Sequence, residues 1–409
     1  MRNQQRLLNA SHIVIDGLFE SVPMLLSFML VSFGANEKEA GVIISLASMG
    51  STLGGLFTIC LSRYLGLLRT ISLVIFLYGI GFFTNAFSNS IYLTGSCFIL
   101  AISGYCLFHN LAFTYLTIHS ARECLGKTMS NFTAVGDLGR IPFVSLASFA
   151  AAACVWGFPG WRIVCGIYGL GAIGFAGYLL VTSYHPTEKS CGEFSSAAAP
   201  KRFFPSFSLL RKKQFALPIT ATIFDAIGSD QLFVFLPYLL LSKGIDAKIM
   251  GTFALAFTCG CFFGKVMCGR IADRLGPRKV FVVSEIAMAA LLIILLLGQQ
   301  ILIIAGTAFF LGIVTKGTVP VIQTLITEPV REPHQYNDII AVSSFMRGTV
   351  SMLTPLIFGF IAAAVGVHWL YATMALAASC AVVPALKMKL SCPPLIAAIS
   401  PAKARTYRQ

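Results

Sequence analysis

Apolar runs of about 20 residues, separated by short polar punctuation, recur along the whole chain. A helix of that length matches the hydrocarbon thickness of a bilayer. The pattern predicts twelve membrane-spanning helices, at roughly 9–33, 40–61, 69–88, 91–117, 129–155, 161–183, 215–241, 247–268, 279–298, 300–326, 338–364 and 367–387. Arg6 precedes the first run, and no small-residue cleavage site follows a short apolar core. The run is therefore expected to be a retained first helix and not a signal peptide.

The longest polar stretch, Ser183 to Lys213, falls after six spans and before six more. It contains Glu188, Lys189, Glu193, the small-residue run Ser195–Ala199, and the bases Lys201, Arg202, Arg211, Lys212 and Lys213, as a flexible linker would. The expected organisation is an all-α membrane protein with a six-helix bundle at 1–184, a linker at 185–213, a second bundle at 214–390 and a basic tail at 391–409.

The two halves share a register. Gly41, Gly50, Gly54 and Gly66 recur at a shift of 210 as Gly251, Gly260, Gly264 and Gly276. Ala134, Val135 and Arg140 recur at 207 as Ala341, Val342 and Arg347, and Trp161 recurs at 208 as Trp369. Ordered anchors at a nearly constant shift mark an internal duplication, the usual build of a membrane transporter. Gly50/Gly54 and Gly260/Gly264 also form small-xxx-small faces, suited to close helix packing in lipid.

Composition agrees. Of 409 residues 56% are hydrophobic and only 11% charged, with a mean hydropathy of +0.81, whereas a soluble domain is about a quarter charged. The net charge of +14 invites a nucleic-acid reading that its distribution rejects. With a cytoplasmic N-terminus, 22 of the 30 Lys and Arg are cytoplasmic. Lys38, Arg162, Lys243 and Lys248 lie on the other side, and Arg140, Lys265, Lys316 and Arg347 lie within spans. That bias places both termini in the cytoplasm of a multi-pass plasma (bacterial inner) membrane protein. The twelve cysteines are scattered through apolar helices with no CxxC and no His/Cys cluster at metal spacing, so no metal is expected. The Asn9 and Asn131 glycosylation patterns lie on or near the cytoplasmic side and are discounted. No P-loop is present, so neither ATP use, an enzymatic activity nor a cofactor is expected.

Between the eighth and ninth spans Gly269, Asp273, Arg274, Gly276, Arg278 and Lys279 resemble the cytoplasmic-loop signature of the major facilitator superfamily, Gly-x-x-x-Asp-Arg-x-Gly-Arg-Arg/Lys. The copy between the second and third spans keeps Gly66 and Arg69 but has Arg63 where the Asp would stand. The resemblance implies two six-helix bundles that rock in alternating access. It further implies that this loop (Asp273, Arg274, Gly276, Arg278) latches one state, and that spans 1, 4, 7 and 10 line a central cavity. The first span, with His12, Asp16 and Pro23, also resembles transporters of the fosmidomycin-resistance type.

Ionisable groups inside spans are costly and mark function. His12, Asp16 and Glu20, spaced i, i+4, i+8, form one stripe, and Asp16 lies about 15 Å past Arg6 along the helix, near mid-membrane. Asp225 matches Asp16 in the repeat, whereas Asp230, five positions on, is expected to face away from it. Asp16, Glu20 and Asp225 are the candidate proton carriers, because neighbouring buried acids resist joint ionisation. The competing use of these acids is to pair with Lys316 or an arginine. His109, Asn110, Arg140, Lys316 and Arg347 are the candidate substrate contacts. Arg140 has Asp137 three residues before it, while Arg347 has no acid within a turn of its own helix. Lys265 and Glu285, towards the cytoplasmic ends of spans 8 and 9, are expected to pair structurally.

The expected function is proton-coupled uptake of a small polar or anionic solute, by a protein working as a monomer with the lipid bilayer as its only other partner. A proton-antiporting exporter is the alternative, although Gly136 to Pro142 does not fit the Gly-Pro-rich motif of such exporters. A transporter-like sensor without a transport cycle is the second alternative.

Overall fold

A computed structural model describes residues 2–119, 125–155, 157–182, 207–330 and 333–388. It is almost entirely helical, apart from a two-stranded antiparallel ribbon in which Cys154 and Val155 pair with Pro159 and Phe158. The first six spans are Arg2–Phe33, Glu37–Leu56 continuing as Thr58–Leu65, Leu67–Asn85, Ile91–Ile102 with Tyr105–His119, Leu125–Ala151, and Gly160–Thr182. The second six are Lys213–Ser229 with Leu232–Ser242, Met250–Leu275, Pro277–Leu297, Ile301–Lys316 with Val319–Thr327, Pro333–Val365, and Val367–Lys387. Most of the expected linker and the tail at 391–409 lie outside the described residues.

Ten of these helices are long and apolar enough to cross a bilayer. The expected spans 40–61 and 129–155 are not among the ten. Gly, Ser and Thr dilute the first, and Asp137 and Arg140 interrupt the second. Local signals set several helix starts. The Asn36 side chain accepts from Lys38 N at 2.9 Å while Glu39 accepts from Asn36 N at 2.9 Å, a reciprocal cap on span 2. Ser90 Oγ accepts from Leu93 N at 3.2 Å and starts span 4.

The duplication is visible in the backbone. Among the described residues the positive-φ glycines fall into pairs close to the repeat shift: Gly34 with Gly244, Gly66 with Gly276, and Gly157 with Gly366. The first two pairs end equivalent helices at a positive φ that favours a residue without Cβ, whereas Gly157 turns the short ribbon and Gly366 joins spans 11 and 12. Helix crossings repeat as well. Gly50 and Gly54 of span 2 lie against Ile99 and Ser103 of span 4, and Gly260 and Gly264 of span 8 against Phe309 and Ile313 of span 10. Both crossings are backbone on backbone, and any Cβ at Gly54 or Gly264 would collide with a carbonyl oxygen. Trp161 and Trp369 have diverged, since the first is buried with its indole N–H on Ser32 Oγ at 3.0 Å and the second is exposed.

The halves are in close contact at one end. Gly41 of span 2 lies on Gly359 of span 11, Gly251 of span 8 lies on the Phe149 ring of span 5, and Ser45 Oγ donates to Met352 O. These contacts sit beside the turns that follow spans 1 and 7. Outward faces of the bundles carry Phe76, Ile167, Val181, Val283, Ile293, Leu376 and Val383, all exposed and apolar as a lipid-facing surface requires.

Candidate functional site

Spans 1, 4 and 5 build a buried polar cluster around Asp16. Gly136 and Gly139 allow it. A Cβ at Gly136 would lie 2.5 Å from His12 Nε2 and 2.8 Å from Asp16 Oδ2, and Gly139 lies against the backbone of Ile13. With the helices this close, Arg140 Nη2 donates to Asp16 Oδ2 at 2.7 Å, while Nη1 lies 3.1 Å from Asp137 Oδ1 and 3.5 Å from Glu20 Oε1. One guanidinium therefore holds three carboxylates. Arg140 does pair with Asp137, as its sequence spacing suggests, but it is not left free for a substrate anion.

Two imidazoles complete the cluster. His12 Nε2 lies 3.3 Å from Asp16 Oδ2, and His109 Nε2 lies 3.4 Å from Asp16 Oδ1. Their Nδ1 atoms face the carbonyls of Phe132 at 2.9 Å and Tyr105 at 3.0 Å. A carbonyl can only accept, so each Nδ1 carries its hydrogen and each Nε2 is left to exchange a proton with Asp16. Phe132 stacks on His12 with centroids 4.1 Å apart, which fixes the ring. The sequence reading expects no metal set, yet folding brings His12, His109 and Asp16 ligand atoms within 4.8 Å of one another, a grouping that could hold a metal ion. Arg140 already occupies Asp16 Oδ2 and places a positive charge in the same space, which favours a proton over a divalent cation there. The grouping joins spans 1 and 4, so linear spacing could not reveal it.

The second half repeats the motif. Arg347 Nη2 donates to Asp230 Oδ1 at 2.9 Å, and Nη1 lies 3.8 Å from Asp225 Oδ2. Ser351 donates to Asp230 Oδ2 at 3.2 Å. This corrects two expectations. Arg347 is paired, through other spans, and Asp230 does not turn away from Asp225. The helix of span 7 ends at Ser229, and the break at Asp230 and Gln231 brings the second acid round to the same guanidinium. Asp16, Glu20 and Arg140 thus correspond to Asp225, Asp230 and Arg347.

Lys265 and Glu285 do not pair with each other. Lys265 Nζ reaches across the halves to Asp137, at 2.6 Å to Oδ2 and 2.7 Å to Oδ1, and Glu285 faces Asp225. The sequence reading undervalued both, because their partners lie on spans 5 and 7. Lys316 ends the first part of span 10, half-buried, with no hydrogen bond or ion pair within 4 Å among the described residues. Lys316 lies within electrostatic range of Asp225, Asp230 and Cys261. Asn110 donates to Gly55 O and Thr58 Oγ1, both at 3.4 Å, and so bridges spans 4 and 2. In the loop motif Gly276 adopts φ 88° between spans 8 and 9, Arg274 is exposed, and Arg278 donates to Leu386 O at the end of span 12. The Asp273 side chain lies outside the described residues.

The sequence model of the Major Facilitator Superfamily matches residues 219–404. No curated protein sequence matches the chain. By structure it is similar to a bacterial homologue of the human lysosomal transporter Spinster in an inward-facing, occupied conformation. That likeness has TM-score 0.71 and 14% identity over 95% of this chain and 98% of that one. It is also similar to the inward-open xylose transporter XylE from E. coli, with TM-score 0.73 and 13% identity over 96% and 97% of the two chains. A D-xylose-proton symporter matches with TM-score 0.71 and 15% identity over 96% and 100%. Likeness at these identities establishes the fold, and the ten long apolar helices fit a multi-pass membrane protein.

Proposed function

We propose that this chain, which belongs to the Major Facilitator Superfamily and carries its fold throughout, imports a small polar or anionic solute together with protons. The observation that carries the reading is the charge chain Asp16–Arg140–Asp137–Lys265, which runs from a buried protonation site into the opposite half. A proton delivered to Asp16, directly or through His12 or His109, cancels the charge that holds Arg140. The guanidinium then shifts its weight to Glu20 and Asp137 and competes with Lys265 for Asp137. Protonation inside one bundle is felt in this way at the contact between bundles, which is what coupling requires. Asp225 opposite, held by Arg347, is the matching acid of the second half.

Lys316 is the substrate contact we favour, since both intramembrane arginines are already held by two or more carboxylates. A cation with no hydrogen bond or ion pair among the described residues suits an anionic or strongly polar solute. The closed contacts at Gly41, Ser45, Phe149 and Gly251 lie at the end that the Lys/Arg bias assigns to the outside. On that orientation both termini are cytoplasmic and the halves are closed against each other on the outer side. The bundles at 1–184 and 214–390 would then rock as units within a monomer, with Asp273, Arg274, Gly276 and Arg278 steadying one state.

Uptake into proteoliposomes under an imposed pH gradient tests the reading. Inward flux of an accepted solute, lost in Asp16→Asn, is expected. If Asp16→Asn and Glu20→Gln both transported with unchanged pH dependence, the proton assignment would be wrong. Flux only against the proton gradient would identify an exporter, and no flux of any screened solute would favour a sensor.

A further inference from the structure

We infer that Asp225 and Glu285 form a carboxyl–carboxylate pair that holds one proton inside the second half, a protonation site separate from the Asp16 cluster. Both residues are completely buried. They face each other, side chain to side chain, across spans 7 and 9. Yet among the described residues none of their four oxygens, Asp225 Oδ1 and Oδ2 and Glu285 Oε1 and Oε2, receives a hydrogen bond from an N–H or O–H donor. Two ionised carboxylates cannot rest against each other without donors in a water-poor interior. A single proton between them removes one charge and supplies the missing donor, as in a shared-proton acid dyad.

The charges around the pair support this count. Arg347 lies 3.8 Å from Asp225 Oδ2 but is committed to Asp230 at 2.9 Å. Lys316 acts on Asp225 and Asp230 only at longer range. One guanidinium thus faces three acids, Asp225, Asp230 and Glu285, and Asp230 has the better claim on it.

The first half lacks the device. The repeat position of Glu285, at a shift of 210, is Ile75, and at the Asp16–Asp225 shift of 209 the His12 position is filled by Ala221. The neighbouring Thr222 hydroxyl donates to Pro218 O at 2.8 Å and is not available to Asp225. The two halves therefore keep a proton by different chemistry, imidazoles around Asp16 and a second carboxyl beside Asp225. The existence of the site rests on this geometry alone, while its use in transport rests on the proton-coupled reading above.

Infrared spectroscopy of the purified, reconstituted chain at neutral pH provides the test, through the carbonyl stretch of a protonated carboxyl and its shift on exchange into D2O. The expected result is a band worth one carboxyl that is lost in Asp225→Asn and also in Glu285→Gln, and kept in Asp16→Asn. Both amides preserve shape and can donate to the remaining carboxylate, and either variant alone reads the same band if the other fails to fold. A band unchanged in both variants, or no such band in the unsubstituted protein, overturns the proposal. Absence of solute uptake would remove the transport reading and leave the band where it is.

Discussion

Replacing Arg140 by Gln should be among the most damaging single changes in the first half, and the damage should depend on Asp16. Arg140 is only 13% exposed and touches Asp16 at 2.7 Å, Asp137 at 3.1 Å and Glu20 at 3.5 Å. Without it, Asp137 still has Lys265, but Asp16, 2% exposed, keeps only two imidazoles, and Glu20 loses the one cation beside it among the described residues. Removing one partner of a buried ion pair typically costs about 3–5 kcal/mol, because the stranded charge stays in place. Arg140→Gln is therefore expected to lower the unfolding free energy by that amount. In the Arg140→Gln background, Asp16→Asn removes the stranded charge and should recover part of the loss, a coupling on the order of 1–3 kcal/mol. Denaturant unfolding of the purified protein in mixed micelles, for the two single variants and the double, measures it. Effects that add to within about 0.5 kcal/mol would refute the idea that Arg140 and Asp16 form one unit.

Lys316→Gln should weaken an anionic solute by on the order of 10- to 100-fold, the value of a charge-assisted hydrogen bond, without changing stability comparably; equilibrium binding checks it, and equal binding would remove Lys316 from the site. Asp137→Asn should loosen the bond to Lys265 and shift the inward–outward balance, read as altered labelling of cysteines placed along spans 5 and 8; unchanged labelling would show that the bridge is not part of the conformational change. Gly264→Ala sets a Cβ against Ile313 O at the span 8–10 crossing and should cost about 1–3 kcal/mol, whereas Gly269→Ala, with open space around it, should cost under about 1 kcal/mol; unfolding midpoints compare the two. Gly136→Ala should displace the His12 ring, seen as moved ring resonances in NMR of labelled histidines, because its Cβ would press on His12 Nε2 and Asp16 Oδ2; unchanged resonances would show that the cluster tolerates the added methyl.

Much of the fold is local and so was legible. Span length, the 210-residue shift of the glycines and the loop containing Gly276 are one-dimensional signals, and the paired left-handed glycines and repeated crossings follow from them. Pairing is not one-dimensional. Arg347 looks unpartnered on its own helix, yet its acids arrive from span 7, and Lys265 finds Asp137 across 128 positions. Asp230 was misplaced because a five-residue spacing was read on an unbroken helix, while the helix ends one residue before it. The paired glycines Gly136 and Gly139 carried a usable signal: two small residues flanking Asp137, next to Arg140, mark a close helix approach at a charged site.

Duplication supplies two copies of a motif, and divergence decides what each copy does. Each half keeps an arginine held by two acids from the paired helix, Asp16 and Glu20 in one and Asp225 and Asp230 in the other. The surroundings differ. The first copy adds His12, His109 and Asp137, and through Asp137 it reaches Lys265 of the other half. The second adds Glu285 and, among the described residues, makes no hydrogen bond or ion pair across the halves from Asp225, Asp230 or Arg347. A proton arriving at the first copy therefore has a mechanical route to the interface, and a proton held at the second has only an electrostatic one, through Arg347 and Lys316. The asymmetry orders the expected defects. Asp16→Asn should uncouple bundle movement from the pH gradient, whereas Glu285→Gln should leave movement intact and alter how the Lys316 region holds its solute. Uptake and cysteine labelling measured on the same two variants separate these outcomes, and identical defects in both would show that the copies act as one site.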